Sequence, residues 1–155
     1  MNNWWYKMKG IILAGANLVE KDDKFLLVQE TFEEIKGKWN LPAGRTEIGE
    51  SIIACTKREG KEETGFTLDP LYLEGVYERL GPGFNITLFV FKSEIVGGKL
   101  IIPEDIMDVR WFSPEEIRKM GNEELLADSY ILRTLKHYRN GNRIPLDSIN
   151  ILRGA

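Results

Sequence analysis

The chain has a single cysteine, Cys55, among 155 residues. One thiol excludes an internal disulfide framework, argues against a cysteine-based zinc site, and fits a reducing, cytoplasmic setting. Histidine is equally scarce. His137 is the only one, and on the last helix it reads as a surface or helix-end residue rather than a catalytic one. No apolar run reaches the roughly 20 residues of a membrane-spanning helix, so no membrane partner is expected. The N-terminal Met1-Asn-Asn-Trp-Trp-Tyr lacks the charged-then-apolar layout of a secretion signal. Positive charge is not in excess either. A net charge of −3 speaks against nucleic acid as a partner, because such binders carry a basic face. It leaves room for a small phosphorylated ligand whose charge a metal ion answers. Internal repeats and low-complexity stretches are missing.

What is present is core. Hydrophobic residues make up 43% of the chain, with four Trp, five Tyr and seven Phe. That suffices for one domain over residues 1–155, with 1–9 as an N-terminal extension and 142–155 as a loose or docked tail. Gly10–Val19 reads as a buried strand, and Lys21-Asp22-Asp23 turns it into a second strand, Lys24–Gln29. Glu30–Lys38 reads as a charged surface loop. Trp39–Pro42 is extended and precedes a turn at Ala43-Gly44. Ser51–Thr64 reads as a helix, capped by Ser51 and stopped by Gly65, with Ile52, Cys55, Thr56 and Gly60 on one face. Leu71–Leu80 and Asn85–Lys92 read as strands around the Gly81-Pro82-Gly83 turn, and Gly97-Gly98 marks another turn. Val109–Phe112 is a short strand. Ser113-Pro114-Glu115-Glu116 starts a helix to about Met120. Ala127, Ile131, Leu135 and Tyr138 give Glu124–Tyr138 an amphipathic helical stripe, ended by Gly141. Strands and helices mix without regular βαβ alternation, so the class is α/β in the broad sense, an α+β or mixed-sheet sandwich.

Chemistry concentrates between residues 44 and 66. Glu59, Glu62 and Glu63 fall at i, i+3 and i+4 of the expected helix, which puts three carboxylates on one face. Like charges so placed repel unless something neutralises them, and a hard divalent cation favours such oxygen ligands. Arg58 adjoins the trio. Glu50 lies eight residues before it, about 12 Å along a helix, so a Glu50–Arg58 pair requires the loop before Ser51 to fold back. Taken as charge alone, Lys57–Glu63 is an ordinary solvated helix face. The spacing says otherwise. From Gly44 the chain follows G-x5-E-x7-R-E-U-x-E-E-x-G-U, where U is bulky, at every position but one. Its seven fixed positions would match by chance roughly once in 10⁸ starts.

This segment resembles the Nudix box, the signature of the MutT-like Nudix hydrolases. Trp39-Asn-Leu-Pro-Ala-Gly-Arg is similar to the family's W-x-L-P-G-G approach. Val109-Arg-Trp-Phe-Ser-Pro-Glu-Glu-Ile is similar to its late strand-to-helix segment. The resemblance spans about residues 10–140 and implies a mixed β-sheet sandwiched between helices, with a loop–helix–loop catalytic motif. It implies hydrolysis of a phosphoanhydride bond in a nucleoside diphosphate derivative with Mg²⁺, or Mn²⁺ in its place. By the same resemblance Glu59, Glu62 and Glu63 are metal ligands, the Ala43 carbonyl a further one, and Glu50 and Glu47 indirect ones. Arg58 orients a glutamate, Arg45 and Gly44 meet the phosphate, and Glu104 and Asp105 are candidates for the base. Gly60 departs from the pattern, standing where the family has Val, Leu or Ile. A mid-helix Gly costs about 1 kcal/mol, and either a bulky neighbour such as a Trp fills the space or the helix is looser here. Ala43 departs more mildly, replacing the first Gly of a pair.

Substrate expectations stay open. Tyr77-Glu-Arg-Leu-Gly-Pro-Gly-Phe-Asn resembles the branch that hydrolyses oxidised-guanine nucleoside diphosphates. Pro82 also falls where ADP-ribose hydrolases carry a proline, and general nucleoside triphosphate clean-up is a third expectation. A catalytically inactive nucleotide-sensing module of the same fold is the competing class; it would usually have lost box glutamates, which are all present here. Trp4, Trp5 and Tyr6 are candidates for stacking a base or for burial in a homodimer.

Overall fold

Asp22 and Asp23 carry positive φ of 51° and 58°. Aspartate tolerates this left-handed region, and two such residues in a row fit the tight turn that reverses a twisted strand pair. The turn joins β1 (Gly10–Lys21) to β2 (Lys24–Glu30). The two pair only at its base, Glu20 with Phe25 and Lys21 with Lys24. Beyond it they diverge. In this computed structural model, which describes residues 9–126 and 130–154, β1 runs parallel to β6 (Phe84–Gly98) over Gly10–Val19. On its other side β1 pairs antiparallel with β4 (Ala43–Arg45). The long β5 (Phe66–Gly81) pairs with β6. β2 takes β3 (Trp39–Asn40) and β7 (Ile106–Phe112) as antiparallel neighbours. The mixed sheet lies between helices, as expected.

Strand parity sorts the core. Even positions of β1 and β6, among them Ala16, Leu18 and Val90, pack with Ile117 of α2 (Pro114–Glu124) and with Ile131 and Leu135 of α3 (Tyr130–Arg139). Odd positions face α1 (Ile52–Thr64), where Ile52 packs with Leu73 and Phe91. Burying a side chain such as Phe91, fully enclosed, contributes about 2–3 kcal/mol. Polar atoms join the layers: Asn17 donates to the Thr56 carbonyl at 2.8 Å and accepts from Ser93 at 2.8 Å.

Five expectations are corrected. Ala43 and Gly44 do not form a turn: they are the first two residues of β4, paired with Ala16 and Gly15. Glu30 does not begin a surface loop: it ends β2 and is 6% exposed. β5 begins at Phe66, before the expected Leu71, and it crosses Pro70 at a register shift, where the missing N–H is tolerated. Glu124 does not begin the last helix: it ends α2, and α3 is described over Tyr130–Arg139. Gly121 (φ 56°) breaks α2, and the chain then runs extended so that the Leu126 N–H donates to the Trp39 carbonyl at 2.8 Å. Ala127 lies outside the described residues, as do Trp4, Trp5 and Tyr6. Finally, the bulky neighbour at Gly60 is Leu68 and not, among the described residues, a Trp. A Cβ there would stand 2.6 Å from Leu68 Cδ1 and 3.0 Å from Asn17 Nδ2, so the glycine is where α1 presses onto the sheet. The tail is docked: Ile144–Pro145 forms β8 against β5, and Leu146 and Ile149 pack on the Ile52–Leu73–Phe91 group. Among the described residues no helix is long and apolar enough to cross a membrane.

Candidate active site

α1 starts where the Ser51 hydroxyl accepts from the Ala54 N–H at 3.1 Å. It stops at Gly65, whose φ of 78° supplies the left-handed cap. Two glycines set how closely it approaches the sheet. A Cβ on Gly15 would lie 2.1 Å from Thr56 Oγ1, and one on Gly44 would lie 2.0 Å from Glu59 Cδ. These two glycines are partners across β1 and β4. The carboxylate of Glu59 therefore rests against bare backbone, at the floor of a cleft of about 800 Å³.

Arg58 organises the acids next to that floor. Its Nε and Nη2 donate to the two oxygens of Glu50 at 2.7 and 3.0 Å, the two-pronged, charge-assisted geometry. Nη1 donates to Glu59 at 2.7 Å and to Glu62 at 3.2 Å, and Nη2 also reaches the Arg45 carbonyl at 3.0 Å. The loop before Ser51 does fold back: the Glu50 N–H donates to the Glu47 carbonyl at 3.0 Å, and Gly49 has φ of 84°. Hydrogen bonding to these carboxylates holds the Arg58 guanidinium above its usual basicity, so it stays charged.

Glu63, half-buried, accepts from the Ala43 N–H at 2.9 Å. Loss of solvent raises its pKa well above the carboxylate range, and Glu30, Glu59 and Asp105 add to the rise against the opposing Ala43 hydrogen bond. Loss of solvent likewise raises Glu59, opposed by Arg58, and Glu30, opposed by the Asn40 amide that donates to it at 3.0 Å. Glu30, Glu59, Glu63 and Asp105 thus face one another across the cleft.

The expected residues divide. Ala43, Gly44, Arg45, Glu59, Glu63 and Asp105 line the cleft; Glu47, Glu50, Arg58, Glu62 and Glu104 do not. Glu50 spends both oxygens on Arg58, while Glu62, Glu47 and Glu104 are exposed. Residues to which the sequence reading gives no catalytic or metal role complete the walls, among them His137, which is half-buried there. Glu30 and Asn40 stand beside the acids, and Tyr77, Tyr130, Arg133 and His137 continue along the cleft. On α3 the positions 130, 133 and 137 recur at helical spacing beside the core stripe of Ile131 and Leu135, a second face that would have signalled them. Cross-strand partners run Arg45–Ala14–Leu88–Tyr77 over β4, β1, β6 and β5. Three strand spacings separate the ends of that row, roughly 14 Å.

An acid-bearing loop–helix–loop beside a mixed-sheet cleft defines a hydrolase domain. Residues 12–132 match the family model described as the NUDIX domain. The chain belongs to that family and is a Nudix hydrolase. It is 32% identical over 137 residues to a protein of Escherichia coli K12 named phosphatase NudJ, covering 86% of this chain and 87% of that one. A NUDIX hydrolase of Nitrosomonas europaea superposes with a TM-score of 0.84 at 32% identity, over 93% of this chain and 99% of the other. A MutT protein of Methanosarcina mazei Go1 gives a TM-score of 0.73 at 25% identity, over 86% and 96%. Enzymes of this family act on small nucleotide substrates and generally use divalent metal ions.

Proposed function

We propose that the chain hydrolyses a phosphoanhydride bond in a nucleoside diphosphate derivative, with Mg²⁺ as the working ion and Mn²⁺ able to replace it. One observation carries the reading. Glu59 and Glu63 stand on the cleft side of β4, Ala43-Gly44-Arg45, where a Cβ on Gly44 would collide with Glu59. Backbone that bare lets a phosphate and its ion approach closely.

The donors fit a hard divalent ion. The cleft-facing carboxylates offer only oxygen, and the charges of Glu59 and Asp105 raise the pKa of both Glu30 and Glu63, a repulsion that a cation relieves. Among the described residues no trio is already drawn together as a coordination sphere. Glu59 and Glu63 would hold the ion, with Glu62 and the Ala43 carbonyl completing the set. When bound, such an ion polarises a phosphoryl oxygen and acidifies a water molecule. Arg58 orients Glu59, and Glu50 neutralises Arg58. Arg45 meets the phosphate, as its place in the cleft wall allows. Asp105, on the same wall, accepts the proton of the attacking water; Glu104 does not line the cleft. The named phosphatase relative supports phosphate release as the outcome. The site is taken as one cytoplasmic domain over residues 1–155, working on small nucleotides rather than on nucleic acid.

Tyr77–Leu80 of the segment similar to oxidised-guanine hydrolases line the cleft, whereas Pro82, the sign of an ADP-ribose substrate, sits at the β5–β6 tip outside it. Oxidised-guanine nucleoside diphosphates are therefore the first substrates to try. The test is phosphate release across nucleoside diphosphates and triphosphates, their 8-oxoguanine forms, ADP-ribose, nucleotide sugars and dinucleoside polyphosphates, with Mg²⁺ and with Mn²⁺. Metal-dependent turnover of at least one diphosphate derivative is expected. No release from any of them would leave the inactive sensing module as the better reading.

A further inference from the structure

Behind Tyr77 and His137 of the cleft wall lies a buried carboxylate that the hydrolysis of a phosphoanhydride does not use. Glu74 is 1% exposed. It sits at a register shift of β5, between Leu73 opposite Phe91 and Gly75 opposite Val90. The extra residue of such a bulge re-aims a side chain. Glu74 points to the α3 side, where Tyr77 Oη donates to its two oxygens at 3.0 and 3.4 Å. Gly75 makes room for this: a Cβ there would meet the Tyr77 ring at 3.2 Å. Tyr77 Oη also lies 2.9 Å from His137 Nδ1, and the two rings stack at 5.9 Å between centroids and 18° between planes. Tyr77 and Tyr130 stand 6.1 Å apart, and Tyr130 Oη donates to Asn40, which donates to Glu30. An aromatic row thus leads from the acids to His137.

A carboxylate out of water costs several kcal/mol unless partners compensate. A fold that needed only packing at this bulge would be served better by an apolar residue. What the carboxylate contributes is orientation. With Tyr77 donating to Glu74, the Tyr77 oxygen is free to accept from His137 Nδ1–H, and Glu74 Oε1 stands 3.8 Å from the same nitrogen, so His137 is held by that one nitrogen. Among the described residues nothing hydrogen-bonds its Nε2. The adjoining floor is apolar sheet, Ala14, Leu88 and Ile86. Flat apolar area, aromatic rings and one directed hydrogen-bonding nitrogen suit a planar nitrogen heterocycle. A bare sugar or phosphate would call for more charge.

We propose that Tyr77 and His137 form the face that selects the nucleobase of the substrate, with Glu74 as a positioning residue that holds both from behind and leaves Nε2 of His137 for the base. The proposal rests on the nucleotide reading of the cleft. Its test is calorimetric binding of AMP, GMP, 8-oxo-GMP, CMP and UMP, with ribose 5-phosphate as the base-less probe, to the wild type and to His137→Ala, Tyr77→Phe and Glu74→Gln. The wild type is expected to hold at least one nucleotide about tenfold or more tightly than ribose 5-phosphate. His137→Ala and Tyr77→Phe remove most of that preference and leave ribose 5-phosphate affinity alone. Glu74→Gln, which keeps the shape, weakens it about threefold to tenfold. In turnover the same losses fall on KM more than on kcat. Equal affinity of the wild type for all probes, or a preference undiminished in His137→Ala and Tyr77→Phe, overturns the proposal. Base-selective binding without any hydrolysis in the phosphate-release panel would instead overturn the hydrolytic reading alone.

Discussion

Two carboxylates mark the two parts of this cleft. Glu63 accepts one backbone N–H and faces Glu30, Glu59 and Asp105. Glu74 is more deeply buried, has no acid raising its pKa by charge, and is answered by a tyrosine and by His137 Nδ1 at 3.8 Å. Both have raised pKa values, yet for different reasons in balance. At Glu63 other negative charges add to burial, a repulsion that an ion would relieve. At Glu74 burial acts alone against the Tyr77 hydrogen bond and pushes the pKa up to about 7. A crowd of acids is a place for a cation; a lone acid holding a neighbour is a place for alignment. The first part is expected to govern the rate, the second the choice of substrate.

The largest break should come at the acids. Glu59→Gln keeps the shape and removes the charge, and kcat should fall on the order of 10²–10³-fold or more, with the melting temperature kept; steady-state kinetics and thermal unfolding check both. Arg58→Ala should cost less, about 10–100-fold in kcat. It leaves Glu50 and Glu59 without their shared partner, and Arg58→Lys should restore only part, since lysine lacks the two-pronged geometry.

Glu74 sharpens the contrast through pH. Its folded pKa, about 7, exceeds the ordinary 4.5, so its contribution to stability is fully present below about 4.5 and is lost as pH rises through 7. A shift of that size corresponds to about 3 kcal/mol. Glu74→Gln should therefore gain stability relative to the wild type between pH 5 and 8, read as denaturation midpoints across that range. A constant difference between the two curves would contradict the burial of an ionisable Glu74.

The smallest effect concerns Gly60. Helix propensity alone gives Ala an advantage of about 1 kcal/mol there. Contact with Leu68 and Asn17 should cancel that gain, and Gly60→Val should lose about 2 kcal/mol in chemical denaturation.

The same contrast explains what the sequence reveals. The acid end lies in one stretch, so helical spacing alone places Glu59 and Glu63 together, and Gly44 before them takes its reason from the close approach of Glu59. The aromatic end is built from β5 and α3, sixty residues apart, and from a bulge that no residue type announces. Tyr77, Tyr130 and His137 meet only once the sheet and the last helix are packed. Glu30 was hidden because a charged residue beside Thr31 and Phe32 reads as loop, whereas its pairing in β2 draws it inward. Gly60 looked like a defect in the family pattern because its partners, Leu68 and Asn17, come from β5 and β1.

Steady-state kinetics of Glu63→Gln and His137→Ala, side by side on the best substrate of the phosphate-release panel, test the division of labour most directly. Glu63→Gln should lose kcat by on the order of 10²-fold or more with KM little changed. His137→Ala should raise KM about tenfold, with kcat the lesser casualty. Near wild-type turnover in Glu63→Gln, or the same pattern of loss in both variants, would contradict it.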